Sequence, residues 1–221
     1  MRPISHPASV PYLLQQAIAR GATNWNTFGG KSMVTASLES LQKGLCAYCQ
    51  IRLDSGIGSH IEHIVPKGVY PTKTFRWKNL VLSCTHSHQL KLVQGSGGVS
   101  CGHSHGKREW LKYNKKFIIP TSKNCERYFE YRASDGEVRA SEGLTPGQTV
   151  RANYTIETLN LNCSRLRRER KDMLEQGYRI VKELISDSTA LSHFIDLELA
   201  EIGGKLPSFF TARQQHFECF L

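Results

Sequence analysis

The sequence predicts an α+β protein, mainly α, built around a small metal-stapled core. Three observations carry that expectation. A Cys-x-x-Cys pair, Cys46 and Cys49, sits among histidines; the strand-like run SHIEHIVP (59–66) follows it; and most of the remaining chain has apolar residues at helical spacing. Three segments are expected: helical 1–44, a core over 45–107, and a helical region with one hairpin over 108–221. No internal repeat is present, and no linker is long enough to force the last segment apart from the core.

Taken in order, residues 10–20 place Leu13, Leu14, Ala17 and Ile18 on one helical face, with Gly21 as the stop. Residues 24–31 are rich in Asn and Gly and read as loop. A second helix over 32–44 buries Leu38 and Leu41 and ends at Gly44. LCAYCQIRL then suits a tight turn presenting two thiolates to one ion. A thioredoxin-like redox pair is the rival, but it wants a βαβ context that is absent. SHIEHIVP runs into a Pro-terminated loop, 70–78 is a loop carrying aromatics, and 79–91 reads as a helix with Leu80, Leu82 and Leu90 inward. Residues 92–106 are a Gly/Ser loop bearing Cys101, His103 and His105. Residues 127–140 alternate around Ser134-Asp135-Gly136, a hairpin signal. Helices are expected over 148–160, 164–186 and 188–202, and a short aromatic helix closes the chain.

Of 221 residues, 39% are apolar and 22% charged, enough for a core and ordinary for a soluble protein. No run approaches the roughly 18 apolar residues of a membrane span. The first residues lack a signal-type apolar stretch, so a cytoplasmic protein with no membrane partner is expected. The net charge of +10 is uneven: residues 1–106 hold ten Lys/Arg against three Asp/Glu. So basic a field suits phosphate backbones, although simple solubility would also account for it. Seven cysteines without a secretion signal point away from disulfides. Four of them fall between positions 46 and 101, which points to metal, while Cys125, Cys163 and Cys219 read as buried thiols.

The residues that carry chemistry lie at 60–91. Phosphodiester hydrolysis needs an activated water, a cation for the developing charge, and a placed phosphate. His63 is the candidate general base, since histidine is mostly neutral at pH 7. Glu62 offers a hard oxygen to Mg²⁺ or Mn²⁺, and His88 an imidazole nitrogen to the same ion. Asn79 cannot titrate and suits holding the base or its loop. His60 is equally a further site residue or merely polar. Lys91, Lys67, Lys107 and Arg108 are candidates for phosphate. Trp110 and Tyr113, within the basic stretch 107–116, could stack bases. The run Arg165, Arg167, Arg168, Arg170 and Lys171 is most often a solvated helix face, with nucleic acid or an acidic partner as the alternative.

CAYC at 46–49, EHIVPK at 62–67, NL at 79–80, Cys84, His88 and Lys91 together resemble the HNH endonuclease family. That resemblance implies a ββα-metal core with a structural zinc knuckle. It also implies catalytic roles for Glu62, His63, Asn79 and His88, with the divalent ion on Glu62 and His88. The pattern wants a second downstream cysteine at position 87, where Ser87 stands, so a zinc site on Cys46, Cys49 and Cys84 needs a fourth ligand. Cys101 is the choice, with His86 and His103 behind it. The opening MRPI, HIEH, WKNL, ETLNLNC (157–163) and LPSFFTA extend the likeness to the HNH proteins of bacterial anti-phage systems, the Septu PtuB-like and retron-associated subgroup. The subgroup implies a PtuA-like ABC-type ATPase as partner and, in retron settings, a reverse transcriptase with its msDNA. The substrate expected is DNA or a structured RNA such as tRNA. The competing class is a catalytically silent zinc scaffold that binds nucleic acid or protein.

Overall fold

In the computed structural model residues 1–95 and 98–220 are described; Ser96 and Gly97 of the expected Gly/Ser loop, and Leu221 at the end of the closing segment, lie outside them. Two N-terminal helices form where periodicity puts them, α1 (Tyr12–Ala19) and α2 (Lys31–Leu41). The core sheet has two antiparallel strands, β1 (Ser59–His63) and β2 (Leu80–Cys84), paired from Ser59↔Cys84 to His63↔Leu80.

That second strand corrects the helix expected over 79–91. All five residues of β2 are buried, and so short an apolar run has no period to tell strand from helix. Its backbone decides. One edge pairs with β1; on the other, Leu82 O accepts from Ala47 N at 3.0 Å, and the buried Gln42 amide both accepts from Leu82 N and donates to Leu82 O. Thr85, with φ of 74°, ends the strand. Helix arrives only after a 3-10 turn at Ser87–Gln89, as α3 (Leu90–Gly95). The expected 92–106 loop holds a 3-10 turn at Cys101–His103 and a one-turn helix, α4 (His105–Arg108).

The C-terminal region is helical around one hairpin, as the sequence predicts. Strands β3 (Phe129–Tyr131) and β4 (Val138–Ala140) flank a turn in which Gly136 takes φ of 69°. A Cβ there would drive into the Arg167 carbonyl, so only glycine fits. Helix α5 (Pro146–Leu159) starts with a capping box between Thr145 and Gln148 and stops at a left-handed Asn160. Helices α6 (Ser164–Leu184), α7 (Ser188–Leu199) and α8 (Phe210–Phe217) follow.

One large apolar core takes residues from all three expected segments, among them Leu14, Leu38, Leu82, Phe117, Phe129, Leu166 and Phe209. A smaller cluster, Leu174, Val181, Leu191, Ile195 and Phe217, joins α6, α7 and α8. The C-terminal segment is also tied to the cysteine turn. Gln50 donates to Thr211 Oγ1 at 2.7 Å and accepts from Thr211 N at 2.9 Å, and Phe209 N donates to Gln50 O.

Candidate metal centre and catalytic cleft

The cysteine staple follows from the edge contacts of β2. The Leu45↔Arg52 bridge closes a turn that lifts Cys46 and Cys49 over the end of β2, where Cys84 N donates to Cys46 Sγ at 3.3 Å. Cys101, held at φ of 61°, brings the fourth thiol. The sulfurs of Cys46, Cys49, Cys84 and Cys101 all lie within 4.8 Å of one another, and all four residues are buried. Four thiolates in a closed shell are the donor set of structural zinc. Burial opposes charge on Cys46, but the thiols of Cys101, Cys49 and Cys84 outweigh it and hold Cys46 well below the ordinary range. Burial pushes Cys49 and Cys101 up. A divalent ion at the centre of the cluster would favour the thiolate form of all four. Among the described residues the fourth thiol of the cluster is that of Cys101, and neither His86 nor His103 belongs to it.

The basic run on α6 has two unlike halves. Arg165 and Arg170 are buried, at 4% and 1% exposure, so the solvated face expected there is carried instead by Arg168, while Arg167 pairs with Asp135. Arg170 donates to Gly136 O and Leu161 O, and Arg165 to Ser100 Oγ. Burial works against both charges; the cysteine cluster works for them, through Cys49 and Cys84 on Arg165 and, after Tyr131, through Cys49 and Cys101 on Arg170. Two guanidinium charges match the net −2 of a divalent ion with four thiolates. Of the other cysteines, Cys125 and Cys163 are buried as expected; Cys219 is exposed.

On β1, neighbouring side chains diverge. His63 turns into a pocket made by Trp25, whose ring meets it edge-on at 4.8 Å, and by the Thr74 carbonyl, 3.0 Å from Nε2. A carbonyl only accepts, so Nε2 carries the proton and Nδ1 is the free base. Burial, with the charge of Lys67 adding to it, lowers His63 to about 4. Asn79 pins the following loop: Oδ1 accepts from Val65 N at 2.8 Å, and Nδ2 donates to Val65 O and Lys73 O, both at 3.0 Å.

Glu62 faces the other way, with His60. Its Oε1 meets Lys107 Nζ at 3.0 Å, and its Oε2 lies 3.5 Å from His60 Nε2. Burial pushes the carboxyl up, yet Lys107 and His60 outweigh it and hold Glu62 below its ordinary value. Lys107 corrects the sequence reading: it is buried, donates also to His63 O and Ile64 O, and lies over the Trp110 ring at 4.3 Å. Trp110 in turn packs edge-on against Phe117, so it is spent on the core rather than offered to bases. Lys67, Lys91 and Arg108 are exposed as phosphate contacts require. His88 is exposed too, stacked on His86 at 5.0 Å, and the neighbours of Glu62 are His60 and Lys107 instead.

The sequence reading missed Trp25, an aromatic in a polar loop beside Phe28, and the Thr74 carbonyl, which leaves no sequence signal. It also passed over Lys73, Arg76 and Lys78. These line a cleft of about 430 Å³ with Ile64, Val65 and Asn79.

Two strands, a late helix and a cysteine staple beside an acid–histidine pair define the class, a ββα-metal core within an α+β protein. No family model matches the chain. It is similar to "Retron Vc95 putative HNH endonuclease" of Vibrio cholerae serotype O1 biovar El Tor, 29% identical over 157 residues, which are 70% of this chain and 69% of that protein. It is also similar to Septu protein PtuB of Bacillus thuringiensis, 36% identical over 140 residues, 63% of this chain and 45% of that protein. The match therefore spans less than half the length of PtuB. The two relatives support a place among HNH, Septu PtuB-like proteins, the resemblance that the motifs carry.

Proposed function

We propose that the protein is a metal-dependent endonuclease of the HNH kind, the effector of a bacterial anti-phage complex of Septu or retron type. The observation that carries this is His63, a buried neutral imidazole with one nitrogen fixed by the Thr74 carbonyl and the other left to take a proton. In the proposed reaction His63 Nδ1 accepts the proton of the attacking water, which makes it a general base that stays neutral well below pH 7. Asn79 keeps the loop after His63 in register, and Lys67, Lys91 and Arg108 hold phosphates. A Mg²⁺ or Mn²⁺ ion, when bound, would take up charge on the phosphate and leaving oxygens. Glu62 is its carboxylate ligand, and His88 is the imidazole that the family pattern names. Zinc in the cysteine staple is structural. The relatives' names support a nuclease acting in defence. The finer assignments rest on the resemblance: DNA or structured RNA such as tRNA as substrate, a PtuA-like ABC-type ATPase as partner, a retron reverse transcriptase with msDNA, and a cytoplasmic site of action.

The test is cleavage of plasmid DNA and total tRNA by the purified protein with Mg²⁺ or Mn²⁺, alone and with its genomic neighbours. His63→Ala should abolish cutting while zinc content stays at one per chain. Unimpaired cutting by that variant would sink the proposal.

One observation favours a second reading, a catalytically silent scaffold. Lys107 already neutralises Glu62 from within the protein. On that reading, crystals soaked in Mn²⁺ would show no ion at Glu62.

A further inference from the structure

The turns that end in the cysteine staple also assemble a second group of donors. Thr85, next to Cys84, turns its carbonyl to His60 Nδ1 at 2.9 Å. Since the carbonyl accepts, Nδ1 carries the proton, and a neutral His60 presents a bare lone pair at Nε2. That atom is buried and has no hydrogen-bond partner among the described residues, although Glu62 Oε2 stands 3.5 Å away. With His60 neutral, two acceptors face each other across that gap. Beyond them, two residues after Cys101, the His103 ring lies 3.9 Å from the His60 ring between centroids, and its Nε2 is likewise buried and unpartnered. Gly102, between Cys101 and His103, closes the group. A Cβ there would come within 2.8 Å of His60 Nε2 and 2.9 Å of Glu62 Oε2.

We infer that His60, Glu62 and His103 are the ligands of a second divalent ion, and that His60 and His103, rather than His88, supply its imidazoles. A buried polar atom without a partner is costly, and two orphaned imidazole nitrogens beside one carboxylate oxygen share a simple remedy, a cation. His60 Nε2 and Glu62 Oε2 stand 3.5 Å apart, longer than an ordinary hydrogen bond, and Lys107 already meets the charge of Glu62 through its other oxygen. A backbone carbonyl fixing Nδ1–H is the outer-shell arrangement of metal-bound histidines. Two imidazoles and one carboxylate favour borderline ions such as Mn²⁺, Co²⁺ or Zn²⁺ over Mg²⁺ or Ca²⁺. The three donors do not crowd as the four sulfurs do, so ion binding draws them together. Ion binding at these residues stands apart from the proposed nuclease; only the word catalytic for that ion rests on that reading.

The experiment titrates the zinc-loaded full chain with Mn²⁺ and follows free ion by electron paramagnetic resonance. The wild-type protein should bind one ion beyond its zinc. His60→Gln and His103→Gln should each weaken that binding by more than the roughly 10- to 100-fold typical of a lost outer-shell partner, and His88→Ala should leave it unchanged. Zinc content and circular dichroism check that each variant is folded. Should a glutamine variant fail that check, the wild-type protein answers instead: added Zn²⁺ should shift the Nε2 resonances of His60 and His103 in ¹⁵N spectra, and not those of His88. No second ion in the wild type overturns the inference, as does an ion lost in His88→Ala and kept in both glutamine variants. An ion that follows His60 and His103 in a protein that cuts nothing supports the site and sinks the nuclease.

Discussion

The cysteine staple and the His60–Glu62–His103 group share two turns, Cys84–Thr85 and Cys101–His103, yet they are finished differently. The staple is closed: four buried sulfurs point at one centre. The second group is open, with nitrogen atoms that have no partner and side chains of His60 and Glu62 exposed at 16% and 14%. Structural metal sites fill every position with protein, whereas working sites leave one for water or substrate. The shared turns make the closed site the jig for the open one.

Breaking the closed site should have the largest effect. Cys84→Ser, or exhaustive chelation, is expected to abolish the cooperative thermal transition, because binding energy at a structural zinc is folding energy. Circular dichroism melts read alongside zinc content check this. Next comes the pair at the border of the two sites. Lys107→Met leaves Glu62 buried without its cation and should cost about 3–5 kcal/mol in urea unfolding. If the open group takes an ion, Mn²⁺ should recover part of that loss in Lys107→Met and none in the double variant with His103→Gln. Asn79→Ala orphans Val65 N and two carbonyls. It should cost roughly 1–3 kcal/mol per buried group left unpaired, with cleavage falling alongside stability.

A smaller effect tests His63 through pH. The unfolded chain takes a proton at the ordinary histidine value near 6.5, while folded His63 refuses it down to about 4. Stability should therefore be complete above pH 6.5 and fall as pH drops from there to about 4, by up to ~1.4 kcal/mol per pH unit from this one group. Urea titrations at stepped pH should show that slope reduced in His63→Asn. Smallest of all is Arg168→Ala on the exposed face of α6, expected within about 0.5 kcal/mol of wild type. Arg170→Ala, two residues on, should unfold the protein far more readily.

The parts legible in the sequence were those in which residue type alone limits the chemistry. Cys-x-x-Cys, a third cysteine and a lone Cys101 have few things to do in company. Asp135-Gly136 has few turns to make. Strand β2 was not legible, because LVLSC is buried on every side and only the Gln42 side-chain amide and the backbones of Ala47 and β1 make it extended. Lys107 and Arg170 were misplaced for a related reason. A basic side chain reads as solvated until the partners that hold it are known, and those partners, Glu62 for Lys107 and the Gly136 and Leu161 carbonyls for Arg170, carry no mark in the sequence pattern. The backbone carbonyls of Thr74 and Thr85, which set the tautomers of His63 and His60, could not have been read from any side-chain pattern.

The two buried arginines on α6 have an effect outside the core. A divalent ion with four thiolates is a dianion, and a bare dianion inside the protein would work against a phosphate backbone. Arg165 and Arg170, both buried, carry the two opposite charges that would offset it. With the staple loaded, an approaching polyanion would meet the exposed Lys67, Lys91 and Arg108 with their attraction less opposed.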